Sequence, residues 1–111
     1  MKKITEQAVN AFYSKESKTL GNTATEYNDQ KDVISLFLHN NKIAELVPTK
    51  HLFISSCWWY TTTTKERLNW ILAKYKMYIK QKNFVWYLVD GETQEQVEFK
   101  EWNKMKNIRI F

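Results

Sequence analysis

Few residues in this chain could carry out nucleophilic or metal-assisted chemistry. It contains one cysteine, Cys57, and two histidines, His39 and His51. Cys57 lies within an apolar run that predicts a strand, and a cysteine buried there acts as a small hydrophobic residue with an unreactive thiol. His51 begins that run and His39 falls in a predicted turn, so neither is placed to activate the thiol. Because CxxC and HxxxH spacings are absent, these residues also predict no metal site.

Carboxylates are more numerous near the C-terminus, where Glu92, Glu95, Glu98 and Glu101 recur at every third position. On a strand this spacing puts successive glutamates on opposite faces, and those on one face lie roughly 20 Å apart. Two carboxylates that act on one substrate must lie within about 10 Å of each other. Glu98 alone could act as a base in a pocket that shifts its pKa, but an exposed acidic sheet edge is the simpler interpretation. We therefore expect no catalytic residue, no cofactor and no enzyme activity.

Four consecutive threonines, at 61–64, precede a predicted helix. A hydroxyl-rich loop at a helix N-terminus could bind an anion, because free backbone N–H groups point outward there. However, no glycine allows close backbone approach, and the phosphate-binding pattern GxxxxGK[ST] is absent. Thr63, followed three residues later by Glu66, fits a capping box in which each side chain bonds the other residue's backbone N–H. Helix capping is therefore favoured over phosphate binding.

Aromatic and basic residues provide the best candidates for a binding surface. The chain contains five Trp, six Tyr and six Phe residues. A core of this size does not require so many rings, so some should lie at the surface. Exposed rings beside lysine and arginine suit a protein partner, or the base stacking and phosphate contacts of a nucleic acid. The candidate binding surface comprises Trp58, Trp59, Tyr60, Lys65, Arg67, Lys74, Lys76, Lys80 and Trp86.

These residues allow several interpretations. The tryptophans could pack in the core, be covered by a partner protein, or be covered by a second copy of the chain in a homodimer. The net charge of +5 also suits nucleic acid. However, no RNP1-like motif is present, and the C-terminal glutamates interrupt the basic surface. Arg67 could instead tether the structure by pairing with a carboxylate of the sheet.

The predicted fold is α+β. One main helix is predicted over about 63–80, because apolar residues recur there at steps of three and four: Leu68, Ile71, Leu72, Tyr75, Tyr78 and Ile79. A short N-terminal helix over about 5–14, capped by Thr5, is predicted to pack on the sheet. Residues 14–22 and 103–107 are predicted to be loops.

Strands are predicted over 23–28, 32–38, 42–47, 51–60, 84–89 and 92–102, and residues 108–111 could add a short terminal strand. His39, Asn40 and Asn41 join two of them, and asparagine tolerates the left-handed conformation that a tight hairpin requires. Short connections predict a mostly antiparallel sheet of five to six strands, with the helices packed against it. The 111 residues contain no linker or repeat and are expected to form a single domain, 1–111.

The cellular compartment follows from cysteine use and hydrophobicity. A lone cysteine cannot form an internal disulfide, and no segment has the composition of a signal peptide. The longest apolar run is far shorter than the ~20 residues that a membrane span requires. We therefore expect a cytoplasmic protein with no membrane partner.

Three segments form an ordered series between residues 20 and 72. They are Gly21-Asn22-Thr23, then LHNNKIA at 38–44, then TTTTKERLN at 61–69. This series resembles a family of small tailed-bacteriophage proteins with the patterns GNT, LHGN-x-IA and GW-x-T-x-TTK-x-RLN. The chain departs from these patterns at Asn40 and Trp58, where they have glycine. The resemblance implies a phage-encoded protein made in the bacterial cytoplasm, and it implies no catalytic residue.

Together these features predict a small non-enzymatic phage protein that binds a host bacterial protein, such as a defence or regulatory component. The alternative is a small basic nucleic-acid-binding protein that uses the lysines of the predicted helix and nearby rings. An enzyme that uses Glu98 as its base is the third hypothesis.

Overall fold

The computed structural model describes residues 3–111, which form two α helices and ten strands. Helix α1 covers Lys3–Tyr13. Helix α2 covers Thr62–Leu72 and continues as a 3-10 turn over Ala73–Tyr75. The strands are β1 Lys18–Leu20, β2 Thr23–Asn28, β3 Val33–Leu38, β4 Asn41–Leu46, β5 Leu52–Ile54, β6 Met77–Lys82, β7 Val85–Asp90, β8 Gln96–Glu98, β9 Asn103–Met105 and β10 Ile108–Ile110. The predicted α+β class is confirmed.

The strands form two sheets. The larger has seven strands in the order β1-β2-β3-β4-β5-β10-β9, and the smaller has three in the order β6-β7-β8. Neighbouring strands are antiparallel, except that β5 and β10 run parallel. The arrangement is therefore mostly antiparallel, as predicted. The prediction of one sheet with five to six strands is wrong, because the sequence pattern does not reveal β1, β6 or β9.

The helices and both sheets share a hydrophobic cluster. Helix α1 contacts α2 and strands β1 to β3, while α2 contacts β4 and β6. Side chains with no exposed surface come from each of these layers and include Phe12, Leu36, Leu68, Leu88 and Ile108. Burial of one such side chain contributes about 1.5–3 kcal/mol to folding. This core fixes the loops that carry the candidate site.

The main helix is shorter than the sequence predicts. It ends at Lys76, which adopts a left-handed conformation with φ 57° and ψ 38°. The Asn69 side chain then accepts a hydrogen bond from the Ile79 N–H at 2.6 Å, which positions β6 beside the helix. In β6, Met77 and Ile79 are buried while Tyr78 and Lys80 are exposed. The prediction of a helix over 76–80 is therefore wrong, because this alternating segment forms a strand.

Both predicted helix caps differ from those in the structure. The N-cap of α2 is Thr61, whose hydroxyl accepts from the Thr64 N–H at 3.1 Å. Thr63 lies inside the helix, so the capping box with Glu66 does not form. Thr5 lies inside α1 and is buried, and its hydroxyl donates to the Glu66 carboxylate at 2.8 Å. Neither of the two threonines predicted to cap a helix therefore does so.

Two long predicted strands are also shorter. The 51–60 strand reduces to β5, because the backbone after Ile54 enters a turn in which Cys57 and Trp58 have positive φ. The 92–102 strand reduces to β8. The β3–β4 hairpin follows the prediction more closely, since its central residues His39 and Asn40 have φ of 51° and 65°. Asparagine therefore occupies a left-handed position, as expected.

Candidate binding surface

Residues 55–60 between β5 and α2 form a hydrogen-bonded turn, here called the tryptophan loop. The Ser55 hydroxyl accepts from the Cys57 N–H at 3.0 Å, and the Ser56 hydroxyl accepts from the Trp58 N–H at 3.2 Å. The Trp59 N–H donates to the Ser56 carbonyl at 2.8 Å. Cys57 and Trp58 are the central residues of this turn and have φ of 50° and 66°. Serine side chains thus replace the strand hydrogen bonds that the sequence pattern predicts.

This turn places three consecutive aromatic side chains at the surface. Trp58, Trp59 and Tyr60 are 79%, 60% and 47% exposed. Trp58 and Trp59 line two different clefts, which share Ser56 as a common wall residue. The tryptophan loop therefore separates two concave surfaces and contributes an indole to each.

The larger cleft, here called the Trp58 cleft, has a volume of about 450 Å³. It lies between the tryptophan loop, the segment after β8, and the end of β10. Its side chains combine aromatic rings with charged groups, namely Trp58, Tyr60, Phe99, Phe111, Glu98, Lys100 and Glu101. A cleft of this size and mixed character suits a small ligand or an inserted side chain.

Trp86 supports this cleft from the core. Its ring lies edge-to-face against Tyr60 at 5.0 Å between centroids and against Phe99 at 5.6 Å. Trp86 is only 3% exposed, and its indole nitrogen has no hydrogen-bond partner among the described residues. The prediction that Trp86 belongs to an exposed surface is therefore wrong. It instead fixes the positions of the two rings above it.

The smaller cleft, here called the Trp59 cleft, has a volume of about 220 Å³ and lies at the N-terminus of α2. Its lining residues are Leu38, His39, Asn41, Ile43, Ser56, Trp59, Thr61, Thr63 and Thr64. Most of them belong to the segments 38–44 and 61–69, which carry the phage-protein resemblance. The fold therefore brings two separate parts of that sequence pattern together around one indole.

Arg67 is buried and cannot form part of an exposed surface. Its side chain is 5% exposed and donates to the Thr23 hydroxyl at 3.2 Å, to the Thr5 hydroxyl and to the Glu66 carboxylate. These contacts join α1, α2 and β2. Its assignment to the binding surface is therefore wrong. Arg67 does tether the structure, but the carboxylate that it pairs with is Glu66 of α2 rather than one of the sheet.

The candidate lysines do not form one patch. The Lys65 ammonium donates to the Gln81 side chain at 2.9 Å, near the start of α2. The Lys74 ammonium lies 4.3 Å above the Tyr13 ring. From Lys65 to Lys74 the helix extends about 14 Å. Lys76 forms an exposed ion pair with Glu92 at 3.7 Å, and Lys80 is exposed on β6. The basic residues are thus distributed along α2 and β6.

The cysteine and histidines do not meet. The Cys57 thiol donates to the Lys42 carbonyl at 3.0 Å. The His39 ring lies 3.5 Å from the Asn22 amide, and the His51 ring is 2.8 Å from a threonine hydroxyl. Cys57 is half-buried in a turn rather than buried in a strand, which corrects that part of the prediction. Within residues 3–111, no three Cys, His, Asp or Glu side chains are close enough together to bind a metal ion.

The groups with shifted pKa values lie away from both clefts. The backbone N–H of Glu92, together with the ammonium of Lys106 at 3.1 Å, lowers the pKa of Asp90. The Lys15 ammonium and the Tyr27 hydroxyl lower the pKa of Asp32. These carboxylates join loops and sheets, so their shifted pKa values reflect structural contacts.

A comparison with protein-family models gives the family. The model for the Kyanoviridae Gp96 protein matches residues 1–108. The chain belongs to the Kyanoviridae Gp96 family. This result confirms the resemblance to a family of small phage proteins. No curated protein and no solved structure matches the chain. Neither helix of this Gp96 family member, within residues 3–111, has the length and hydrophobicity needed to cross a bilayer.

Two further exposed aromatic residues of this Gp96 family member are not apparent from the sequence. Phe84 is 94% exposed and Trp102 is 75% exposed, although both fall in predicted strands. Both have positive φ, of 66° and 65°. In the sequence, Asn83 could have indicated that Phe84 lies in a turn, because asparagine is common in two-residue hairpin turns. Asn83 also has positive φ.

Proposed function

We propose that this Gp96 family member is a non-enzymatic protein that acts in the cytoplasm of the infected bacterium by binding a host protein through its tryptophan loop. The host target would be a defence or regulatory component. The observation that carries the proposal is the run of three exposed aromatic residues, held in a hydrogen-bonded turn between two clefts.

The composition and hydrogen bonding of the loop support a role in protein recognition. Tryptophan and tyrosine are the residues most often found as energetic anchors of protein interfaces. The serine-capped turn already fixes the backbone of Trp58 and Trp59, so binding would cost little additional ordering of the chain. The two clefts give a partner concave surfaces on both sides of the indoles.

The backbone of Trp58 gives a second argument. A residue with a Cβ atom in the left-handed region costs about 1–2 kcal/mol relative to one in the right-handed region. Trp58 adopts φ 66°, and its large exposed surface means that core packing offsets little of this cost. Strained residues of this kind concentrate at functional sites. A contact made by Trp58 would account for an aromatic residue at a position that favours glycine.

The proposal that the protein is not an enzyme rests on the arrangement of its reactive groups. Cys57, His39 and His51 each bond other residues. Glu98, the carboxylate considered as a base, is 44% exposed and forms an ion pair with Lys100 at 3.6 Å. A carboxylate that is exposed and already paired with an ammonium group lacks the enclosed surroundings in which a catalytic acid or base usually acts.

Nucleic-acid binding is the alternative, and one surface favours it. Tyr78, Lys80 and Lys82 alternate on the exposed side of β6, and Tyr87 lies directly across from Lys80 on β7. The exposed ring of Tyr78 and the half-buried ring of Tyr87, lying beside lysines, suit a single-stranded nucleic acid. A salt titration with a mixed-sequence oligonucleotide tests this alternative. Binding that weakens steeply with salt supports nucleic-acid binding, and absence of binding at low salt excludes it.

Affinity capture from infected cells tests the proposed function. The wild type should capture a reproducible host protein, whereas Trp58→Gly and Trp59→Ala should each lower the affinity for the purified target by about 2 kcal/mol, or roughly 30-fold. Trp58→Gly preserves the fold, because glycine accepts the left-handed conformation without strain. Phe84→Gly provides a matched control, since it also removes an exposed ring at positive φ and should leave the affinity unchanged.

Two results would contradict the proposal. The first is failure to capture any host protein reproducibly. The second is an affinity within about twofold of wild type for both tryptophan variants. Sedimentation equilibrium of the purified protein addresses the remaining protein partner, a second copy of the chain. A dimer that dissociates in Trp58→Gly would identify that copy, rather than a host protein, as the occupant of the loop.

A further inference from the structure

We infer that the Trp58 cleft binds an arginine side chain of the partner protein, an inference that rests on the proposed function. The cleft places the rings of Trp58 and Tyr60 together with the carboxylates of Glu98 and Glu101. Aromatic faces and carboxylates are the two groups that a guanidinium ion contacts most favourably.

The charge of the cleft is opposite to that of the chain. The chain has a net charge of +5, yet two carboxylates and one ammonium group line this cleft. Lys100 lies 3.6 Å from Glu98, and their side chains are 64% and 44% exposed, so their attraction is weak and a competing cation can replace it. Within residues 3–111, the ion pairs do not include Glu101. The cleft therefore carries a net negative charge that attracts a cation.

Two rings of the cleft, those of Trp58 and Tyr60, are 79% and 47% exposed and are accessible to that cation. Among the described residues, the cations positioned over rings are Lys15 above Tyr27 and Lys74 above Tyr13. Neither ring belongs to the cleft. A planar guanidinium can stack on an indole and donate two hydrogen bonds to one carboxylate, whereas an ammonium group cannot make both contacts with the same geometry. Arginine therefore fits this combination better than lysine.

The same charges disfavour a nucleic acid in this cleft. A base could stack on Trp58, but its flanking phosphates would then approach Glu98 and Glu101. Like charges brought together at an interface oppose binding. The arginine inference and the nucleic-acid alternative thus concern different surfaces, since the latter uses the exposed side of β6.

Two short peptides test the inference directly. N-acetyl-Phe-Arg-amide carries the guanidinium, and N-acetyl-Phe-citrulline-amide has the same shape without the charge. Binding is followed by the indole N–H signal of Trp58 in NMR spectra, assigned with Trp58→Phe. The arginine peptide should bind roughly tenfold more tightly than the citrulline peptide. The Trp102 indole lies outside the cleft, so its signal should stay unchanged in both titrations.

The double variant Glu98→Gln/Glu101→Gln identifies the origin of this preference. Its rings are unchanged, so both peptides should bind it with affinities within about twofold of each other. Equal affinity of the wild type for both peptides, no shift of the Trp58 signal, or an unchanged preference in the double variant would overturn the inference. In the host-protein assay, Trp58→Gly could lose binding while the double variant binds fully. That result would also overturn the arginine inference, but it would leave the proposed function intact. If the wild type captures no host protein, the proposed function fails, while the peptide preference still decides the arginine inference.

Discussion

Replacing Phe84 by glycine is expected to stabilise the protein, although the substitution removes an entire aromatic side chain. Phe84 and Asn83 form the two-residue turn between β6 and β7, since Lys82 pairs directly with Val85. Both turn residues have positive φ, 52° at Asn83 and 66° at Phe84. Turns of this type strongly favour Asn-Gly, because glycine has no Cβ atom to clash with the backbone. Phe84→Gly creates that dipeptide.

The expected gain in stability is the sum of one favourable and two unfavourable terms. Relief of the left-handed conformation contributes about 1–2 kcal/mol. The greater freedom of glycine in the unfolded chain costs about 0.4–1 kcal/mol. Phe84 is 94% exposed, so the apolar burial lost with the ring amounts to only about 0.3 kcal/mol. The net increase in the free energy of unfolding is therefore about 0.5 kcal/mol, which raises Tm by about 2 °C.

Replacing Phe84 by alanine separates the effect of the backbone conformation from the loss of the ring. Phe84→Ala loses the same ring but keeps a Cβ atom at positive φ, so it should be about 1 kcal/mol less stable than Phe84→Gly. Phe84→Asn should fall between them, because asparagine tolerates this conformation. Urea unfolding followed by tryptophan fluorescence measures all three, since each keeps every tryptophan. If the alanine variant equals or exceeds the glycine variant in stability, the backbone argument is wrong.

Three other substitutions test the contacts that support the site. Arg67→Met leaves a carboxylate and two hydroxyls without their buried donor and should lower the free energy of unfolding by about 3 kcal/mol in urea titrations. Asn69→Ala should lower the free energy of unfolding by about 1 kcal/mol and accelerate hydrogen exchange at the Ile79 amide. Exchange at the wild-type rate would show that the hydrogen bond between Asn69 and Ile79 does not hold β6 in place. Asp90→Asn tests the contact with Lys106. Because the folded-state pKa of Asp90 is lowered, its contribution is complete above the unfolded value of about 3.9 and is lost as pH falls through the lower folded value. Urea midpoints of wild type and variant should therefore differ at pH 7 and converge as pH falls below about 3.9, and a difference independent of pH would contradict this assignment.

Elements with strong local patterns were predictable from the sequence. Strand β2 has the predicted bounds, β3 begins one residue later than predicted, and β4 and β7 are each shifted by one residue at both ends. Helix α1 is also close to its predicted range. In these segments, hydrophobic periodicity and turn residues favour the same structure, so local preference and tertiary packing agree.

The end of α2 was not predictable in the same way. Tyr75, Tyr78 and Ile79 continue a helical spacing, yet Met77 to Lys82 equally fits the alternation of a strand. The choice depends on two features that periodicity does not contain. Lys76 adopts a left-handed conformation, and the Asn69 side chain bonds the Ile79 N–H ten residues later. Tertiary contacts therefore decide between two patterns of similar local strength.

The sequence indicates which types of residue form the candidate site, but not which individual residues belong to it. An excess of aromatic residues correctly indicates exposed rings, and Trp58, Trp59 and Tyr60 are among them. Burial of Arg67 depends on hydroxyls 44 and 62 residues away in sequence, and no local pattern encodes such contacts. Trp86 is covered because Tyr60 and Phe99 pack on it from other segments. Fold topology, rather than residue type, separates the exposed rings from the buried ones.

Three exposed aromatic residues share the same backbone cost. Trp58, Phe84 and Trp102 have φ between 65° and 66°, and each keeps at least 75% of its surface exposed. Stability alone would favour glycine or asparagine at such positions. Their surroundings differ, however, because Trp58 lines a cleft with carboxylates and other rings, whereas Phe84 and Trp102 line neither cleft beside the tryptophan loop. Strain alone therefore does not identify a binding residue in this protein. The proposal for Trp58 instead rests on strain together with a position in a concave, charged cleft, a combination that neither Phe84 nor Trp102 has.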